Sequence, residues 1–248
     1  MSLAMPSILV VDDEADACRN LADIFGELGS VVDTAHDGPS ALALVRRRRY
    51  DVALLDLVMP GMDGASLYAE IKRLRAGTVA LVVTAHPGSP QAEAVVVGGA
   101  WRVLPKPVDF PRLLGLVDEA LGQPLVLVVD DDADLCANLW DLLRERGYRV
   151  CLAHDVTSAV ERLQDDYYGV VLLDMRLPGG DGAEIFRAAR RGGCGAPVVV
   201  ITGHRAEVEA KVRQVLVEGA SEVLHKPLDV PALLTTLRRL TGALGLRG

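Results

Sequence analysis

The chain has 248 residues, half of them hydrophobic, and a formal net charge of −8. Residues 1–122 carry sixteen acidic against eleven basic side chains, and residues 123–248 carry eighteen against fifteen. An acidic balance in both halves argues against a general nucleic-acid surface. No apolar run approaches the roughly 18–20 residues of a membrane span and the first residues lack a signal-peptide pattern, so a cytoplasmic location is expected.

In chain order, ILVVDD (8–13) reads as a buried strand ending in two adjacent carboxylates, Asp12 and Asp13. The helix after it shows Leu21, Ile24, Phe25 and Leu28 at helical spacing and is closed by Gly29. SVVDTA (30–35) is a short strand, and residues 39–49 form a helix ending in Arg46, Arg47, Arg48 and Arg49. That basic run is expected to be a solvated helix end, since the matching stretch of the second half carries no arginine. The apolar run 52–55 ends on Asp56 and is followed by Pro60, Gly61, Asp63 and Gly64, a loop rigid near the carboxylate and permissive just beyond it. A helix is expected over 65–75, then strand 78–84 ending on Thr84 with Ala85 beside it. Next come a helix at 90–98, the short strand 102–104, Pro105-Lys106-Pro107, and a last helix at 109–121. Strands and helices that alternate five times imply a parallel sheet with helices on both faces.

The second half repeats the first. A shift of 118 residues aligns 8–65 with 126–183 without a gap, and 29 of those 58 positions are identical. The chain is an internal duplication, with domains expected at 1–122 and 123–248. Strand 126–131 ends in Asp130 and Asp131, strand 170–174 ends on Asp174, and strand 197–202 ends on Thr202. Strand 222–224 precedes His225-Lys226-Pro227, and a final helix is expected over 229–242. The one change of length is two extra residues between Thr202 and Lys226. Only Gly122, Gln123 and Pro124 serve as a linker, a reach on the order of 10 Å. The halves are therefore expected to pack on each other or to exchange into a homodimer. Among four cysteines with no CxxC pair, Cys18 and Cys136 are equivalent and are expected to be buried free thiols.

Three strand ends thus bring Asp12, Asp13 and Asp56 together at the carboxyl edge, where open α/β sheets place their chemistry, and two more add Thr84 and Lys106. Three carboxylates at contact distance repel by several kcal/mol even at a generous effective dielectric. A hard divalent cation relieves this, and Mg2+ suits a site of few carboxylates and several waters. A carboxylate can also act as a nucleophile and form an acyl phosphate. Lys106 would then pair with a phosphoryl oxygen and the Thr84 hydroxyl would donate to another.

Each half resembles a receiver domain of the two-component response-regulator family. The resemblance covers almost the whole chain and implies two flavodoxin-like (βα)5 doubly wound domains, each with a five-stranded parallel sheet. It implies an acidic pair at Asp12 and Asp13, a phosphoacceptor at Asp56, a switch hydroxyl at Thr84 and a lysine at Lys106. In the second half these roles fall on Asp130 and Asp131, Asp174, Thr202 and Lys226. It further implies bound Mg2+, cis peptides before Pro107 and Pro227, and phosphoryl donation by a histidine kinase, a histidine phosphotransfer protein or a small acyl phosphate.

The chain departs from the family pattern three residues before each lysine, where Val103 and Val223 replace the usual Tyr or Phe. Phosphorylation is expected to survive this change, whereas output through a swinging ring is not. Trp101 is expected to be a packed or half-exposed aromatic. None of the histidines lies in a stretch resembling a kinase dimerisation box; His86 and His204, two residues past the threonines, either modulate hydrolysis or are solvated bystanders. The leading reading is phosphorylation-dependent signal transduction by a phosphoacceptor that is not otherwise an enzyme and has no output module after its last helix. The alternative is a tandem-receiver fragment of a larger hybrid histidine kinase or multidomain regulator. An aspartyl phosphatase would favour an aspartate two residues after the nucleophile, where Val58 and Arg176 stand.

Overall fold

The computed structural model describes residues 5–165, 168–178, 180–203 and 206–242. The chain divides into two compact units, Met1–Gln123 and Pro124–Gly248. In the first unit the order is β1 (Ser7–Val11), α1 (Ala15–Glu27), β2 (Val31–Ala35), α2 (Gly38–Arg47), β3 (Val52–Asp56), α3 (Gly64–Leu74), β4 (Val79–Thr84), α4 (Pro90–Val97), β5 (Arg102–Pro105) and α5 (Phe110–Gly122). The five strands are all parallel, in the order β2-β1-β3-β4-β5.

The second unit runs β6 (Leu125–Val129), α6 (Ala133–Glu145), β7 (Arg149–Ala153), α7 (Val156–Asp165) and β8 (Val170–Asp174). Two short strands, β9 (Arg176–Leu177) and β10 (Gly180–Asp181), then pair antiparallel. They are followed by α8 (Gly182–Arg191), β11 (Val198–Thr202), α9 (Ala206–Val217), β12 (Glu222–His225) and α10 (Val230–Thr241). Its main sheet is also parallel, in the matching order β7-β6-β8-β11-β12.

Both faces of each central strand are apolar, and the strand's two-residue period sorts them. Leu9 and Val11 of β1 pack with α2, α3 and α4, while Ile8 and Val10 pack with α1 and α5. Leu127 and Val129 face α7, α8 and α9, while Val126 and Val128 face α6 and α10. Burying a Leu or Val side chain contributes about 1.5–3 kcal/mol, so these doubly covered strands hold their carboxyl ends in place. Aspartates that accept a backbone N–H begin most of the helices: Asp63 takes Ser66 N at 2.7 Å, Asp109 takes Arg112 N at 3.1 Å, and Asp229 takes Ala232 N at 3.1 Å.

Two local expectations change. The basic run is not uniformly solvated: α2 stops at Arg47, and Arg48 folds back as the helix cap. Its guanidinium reaches Asp33 at 3.0 Å and Ser7 Oγ at 2.9 Å and lies over the Tyr50 ring. Burial and the Asp33 carboxylate, which accepts the Tyr50 hydroxyl at 2.6 Å, hold that phenol far above its usual range. Helix α3 begins one residue earlier than its apolar spacing indicates, at Gly64, and only Gly61 of that loop has a positive φ, at 80°. Gly64 serves close packing instead.

Candidate functional site

The paired β1–β3–β4–β5 register puts Val11 beside Leu55, Asp56 beside Val83, and Thr84 beside Pro105. One edge of the sheet therefore carries Asp12, Asp13, Asp56, Thr84 and Lys106, the five positions expected from sequence. Asp12 and Asp56 are buried, Asp13 is exposed, and ligand oxygens of the three lie within 4.8 Å of one another. The Lys106 ammonium bridges the two buried acids, donating to Asp12 Oδ2 and Asp56 Oδ2 at 2.8 Å each. Burial alone would lower its pKa, but those carboxylates outweigh it and hold the lysine well above its ordinary value. The other oxygen of Asp56 accepts the Val58 N–H at 3.2 Å, and Asp12 Oδ1 accepts the Glu14 N–H at 3.0 Å.

The second unit builds the same cluster from Asp130, Asp131 and Asp174, again within 4.8 Å. Lys226 donates to Asp174 Oδ2 at 2.6 Å and lies 2.7 Å from Asp130 Oδ2. The second contact is close but poorly aligned as a hydrogen bond, so charge rather than direction holds it. Burial pushes the Asp130 carboxyl up, against Lys226 and the Asp132 N–H, which pull it down. Asp174 Oδ1 accepts the Arg176 N–H at 2.9 Å. Both Lys–Pro peptides, 106–107 and 226–227, are cis.

The two hydroxyls differ. Thr84 is fully buried and its oxygen accepts the His86 N–H at 3.1 Å, while Thr202 donates to the carbonyl of Gly203 at 3.1 Å. The His86 side chain is exposed at the rim, and His204 lies outside the described residues. Val103 and Val223 are half-buried against the α2–α4 and α7–α9 cores, and no ring occupies either place. Trp101 is half-buried beneath Arg102, which stacks at 4.9 Å.

Some participants are not apparent from residue type alone. The Asp12 carbonyl receives the Cys18 thiol at 3.3 Å and lies 3.2 Å from His36 Nδ1. The Asp130 carbonyl has the same pair, Cys136 at 3.4 Å and His154 Nδ1 at 3.1 Å. Burial raises both thiols, Cys136 to about 12, so they act as weak donors and not as thiolates. Their equivalence across the 118-residue shift is the signal that marks them. Gly64 and Gly182 are the other two: a methyl on either would meet the carbonyl of the aspartate that ends the central strand, Asp56 O at 2.2 Å or Asp174 O at 2.4 Å.

A doubly wound parallel sheet with acidic strand ends and a lysine across them, present twice, places each cluster where open α/β sheets bind their ligands. Residues 8–118 and 126–238 each match the response regulator receiver domain. The chain is 39% identical over 236 residues to a response regulator receiver protein of Anaeromyxobacter sp. (strain Fw109-5), covering 95% of both chains. It is 35% identical over 123 residues to the transcriptional regulatory protein GlrR of Escherichia coli (strain K12), covering 50% of this chain and 28% of that one. The solved receiver domain of a sensor histidine kinase from Pseudomonas aeruginosa PAO1, with magnesium in its active-site cleft, is 29% identical. It aligns with 49% of this chain and 99% of its own, with a TM-score of 0.43. The chain belongs to the response regulator receiver family, with two receivers in tandem, and its place is in two-component signal transduction.

Proposed function

We propose that each receiver accepts a phosphoryl group on the aspartate at the end of its central strand, Asp56 or Asp174. The observation that carries this reading is the twice-built cluster of three carboxylate oxygens within 4.8 Å, crossed by one lysine. A carboxylate oxygen of the acceptor attacks phosphorus; the bond from phosphorus to the donor atom breaks, and the leaving group departs with the bonding pair. Lys106 or Lys226 turns from its carboxylates to a phosphoryl oxygen, which takes over part of their charge. Thr84 has its hydroxyl proton available to donate to a second oxygen. Thr202 must first release the Gly203 carbonyl.

The donor set, three hard carboxylate oxygens per site, fits Mg2+. Asp12, Asp13 and Asp56 would hold it in the first receiver, and Asp130, Asp131 and Asp174 in the second. When bound, the ion supplies positive charge that neutralises phosphoryl oxygens. Histidine kinases or histidine phosphotransfer proteins are the proposed donors, a homodimer or an intramolecular receiver pair the proposed assembly, and the cytoplasm the proposed location. Among the described residues, no helix is long and apolar enough to cross a membrane. The protein's own chemistry is confined to taking and losing its phosphoryl groups, with no separate substrate turned over.

The test is mass spectrometry of the intact chain after incubation with Mg2+ and acetyl phosphate. Two phosphoryl increments are expected for the wild type, one for Asp56→Asn or Asp174→Asn, and none for the double variant. Uptake by the double variant would place the acceptor elsewhere.

A further inference from the structure

Asp13 and Asp131 are the exposed members of the two acidic clusters, and each lies in the bend between a strand and a helix, where no ladder or helical turn holds it. What fixes them is the peptide on either side. On the carboxyl side the Glu14 N–H donates to Asp12 Oδ1 at 3.0 Å, and the Asp132 N–H donates to Asp130 Oδ1 at 3.0 Å. On the amino side the peptide carbonyl is that of Asp12 or Asp130, and among the described residues no backbone N–H reaches either oxygen. Side chains take that place. The Cys18 thiol donates to Asp12 O at 3.3 Å and His36 Nδ1 lies 3.2 Å from it, while Cys136 and His154 Nδ1 stand at 3.4 and 3.1 Å from Asp130 O.

The two thiols are buried in the core, so packing accounts for their presence. The two histidines are exposed, and packing does not account for a ring held against a strand end. A carbonyl oxygen can only accept, so Nδ1 carries the proton, the tautomer opposite to the Nε2–H form that an unconstrained imidazole favours. The backbone delivers each ring from both sides. Ala35 ends β2, and Asp37 caps α2 by accepting the Ser40 N–H at 2.7 Å. Ala153 ends β7, and Asp155 accepts the Ser158 N–H at 2.7 Å. Removing a ring therefore leaves the turn that carries it in place.

We propose that His36 and His154 are positioning residues for the metal ligands Asp13 and Asp131, each donating through Nδ1–H to the carbonyl that precedes its aspartate. The inference rests on the Mg2+ assignment made above. With the 12–13 peptide plane held, the Asp13 carboxylate is set beside those of Asp12 and Asp56 before an ion arrives. With the plane free to turn, part of the binding free energy goes into ordering it.

Two NMR measurements on the full chain test this. Ring nitrogen–proton correlations at pH 8.5, about two units above the ordinary histidine value, should show both His36 and His154 as Nδ1–H tautomers. Mg2+ is then titrated while the backbone amides of Asp13 and Asp131 are followed, so that each receiver serves as the control for the other. His36→Ala should weaken Mg2+ at Asp13 about fivefold and leave Asp131 unchanged. His36→Asn, whose side-chain amide places an N–H near the Nδ1 position, should stay within about twofold of wild type. Both variants should melt with the wild type, since the residue is exposed. The proposal is overturned by Nε2–H rings, by equal Mg2+ affinity in wild type and His36→Ala, by an asparagine variant as weak as the alanine one, or by a lower melting temperature with unchanged affinity. Failure of the phosphoryl reading looks different: Mg2+ binding stays intact and phosphoryl uptake is missing.

Discussion

Gly64→Ala tests the view that the acceptor strand and helix α3 are locked backbone to backbone. A methyl at this position would stand 2.2 Å from the Asp56 carbonyl oxygen and 2.9 Å from the Leu57 Cα. Ordinary contact begins near 3.4 Å, so roughly 1 Å of separation must open between the start of α3 and the end of β3. Neither neighbour can yield easily: Leu54, Leu55 and Leu57 are buried on one side of the contact, and Leu67 and Ile71 anchor α3 on the other. Overpacking of this kind costs about 1–3 kcal/mol, against which alanine recovers some 0.4–1 kcal/mol of chain entropy. A net loss on the order of 2 kcal/mol lowers the melting temperature of a domain this size by roughly 6–12 °C. The same 1 Å moves the acceptor carboxylate relative to Lys106 and Thr84, and misplacement on that scale slows a positioned reaction by up to about 100-fold. The assay is phosphoryl uptake from acetyl phosphate in an Asp174→Asn background, so that only Asp56 reports, together with thermal unfolding. Gly26→Ala is the control: it is exposed in α1 with nothing within 4 Å of the added methyl, and should stabilise by about 0.5–1 kcal/mol. A Gly64→Ala protein with wild-type melting and wild-type uptake would refute the locked contact.

Four further outcomes are expected. Calorimetry should show one weak Mg2+ per receiver, with Asp13→Ala removing the first event and Asp131→Ala the second; binding unchanged in the double variant would count against the assigned ligands. The acyl phosphate should last longer at Asp174 than at Asp56, because the exposed Arg176 can reach a phosphoryl oxygen where the exposed Val58 cannot; equal decay in the two single-acceptor variants would remove that role. A thiol reagent under native conditions should label the half-buried Cys194 first and Cys136 last, since burial lifts the latter's pKa to about 12; prompt labelling of Cys136 would contradict its burial. Burial would raise the Asp181 carboxyl, but Lys211 at 2.6 Å and the Glu184 N–H outweigh it and depress the pKa. Its contribution to stability is therefore complete above the unfolded aspartate value and lost as pH falls through the folded one, so Lys211→Met should flatten the acid limb of the unfolding curve below about pH 4, and an identical limb would exclude the pair.

Strand ends were the most legible part of the chain. A four-residue apolar run that stops on a carboxylate specifies both the buried strand and the edge where the acid emerges, and doing so twice at the same spacing removes the ambiguity of a single copy. Lys106 and Thr84 followed because each ends a run of its own. The Arg46–Arg49 run was misleading because a one-dimensional reading cannot show that Arg48 returns beside Asp33, fifteen residues earlier on the preceding strand β2. The Cys18 and His36 contacts to one carbonyl were equally hidden, since they depend on where α1 and the β2 end cross, not on any local pattern. Gly64 was visible as a glycine, but its reason is a tertiary approach that spacing does not express.

The two receivers share their reacting groups and differ in what surrounds them, and the differences share one direction. In the second receiver Arg187 grips Glu218 in a bidentate pair at 2.9 and 3.0 Å, and Lys211 reaches Asp181 at 2.6 Å. Both pairs tie α9 to α8 and to the loop that follows the acceptor. The first receiver has Ala69 and Gly98 in place of the first pair, and Gln91 or Glu93 where Lys211 would fall. In the first receiver Lys72 reaches the Gly98 carbonyl at 3.1 Å. Exposed ion pairs contribute little singly, but two across one helix pair resist its sliding together. The same second receiver fills its α6 wall with Leu135, buries Asp130 fully where Asp12 keeps 5% exposure, and closes its hydroxyl onto Gly203. Each difference stiffens the second site or covers it. Val103 and Val223 offer no aromatic ring to carry a signal outward, so on the proposed reading a signal is expected to leave through the helix after Thr84 or Thr202, and the two ion pairs are expected to hold α9 against such movement. If each receiver takes a phosphoryl group as proposed, the first is expected to respond to it and the second to hold it.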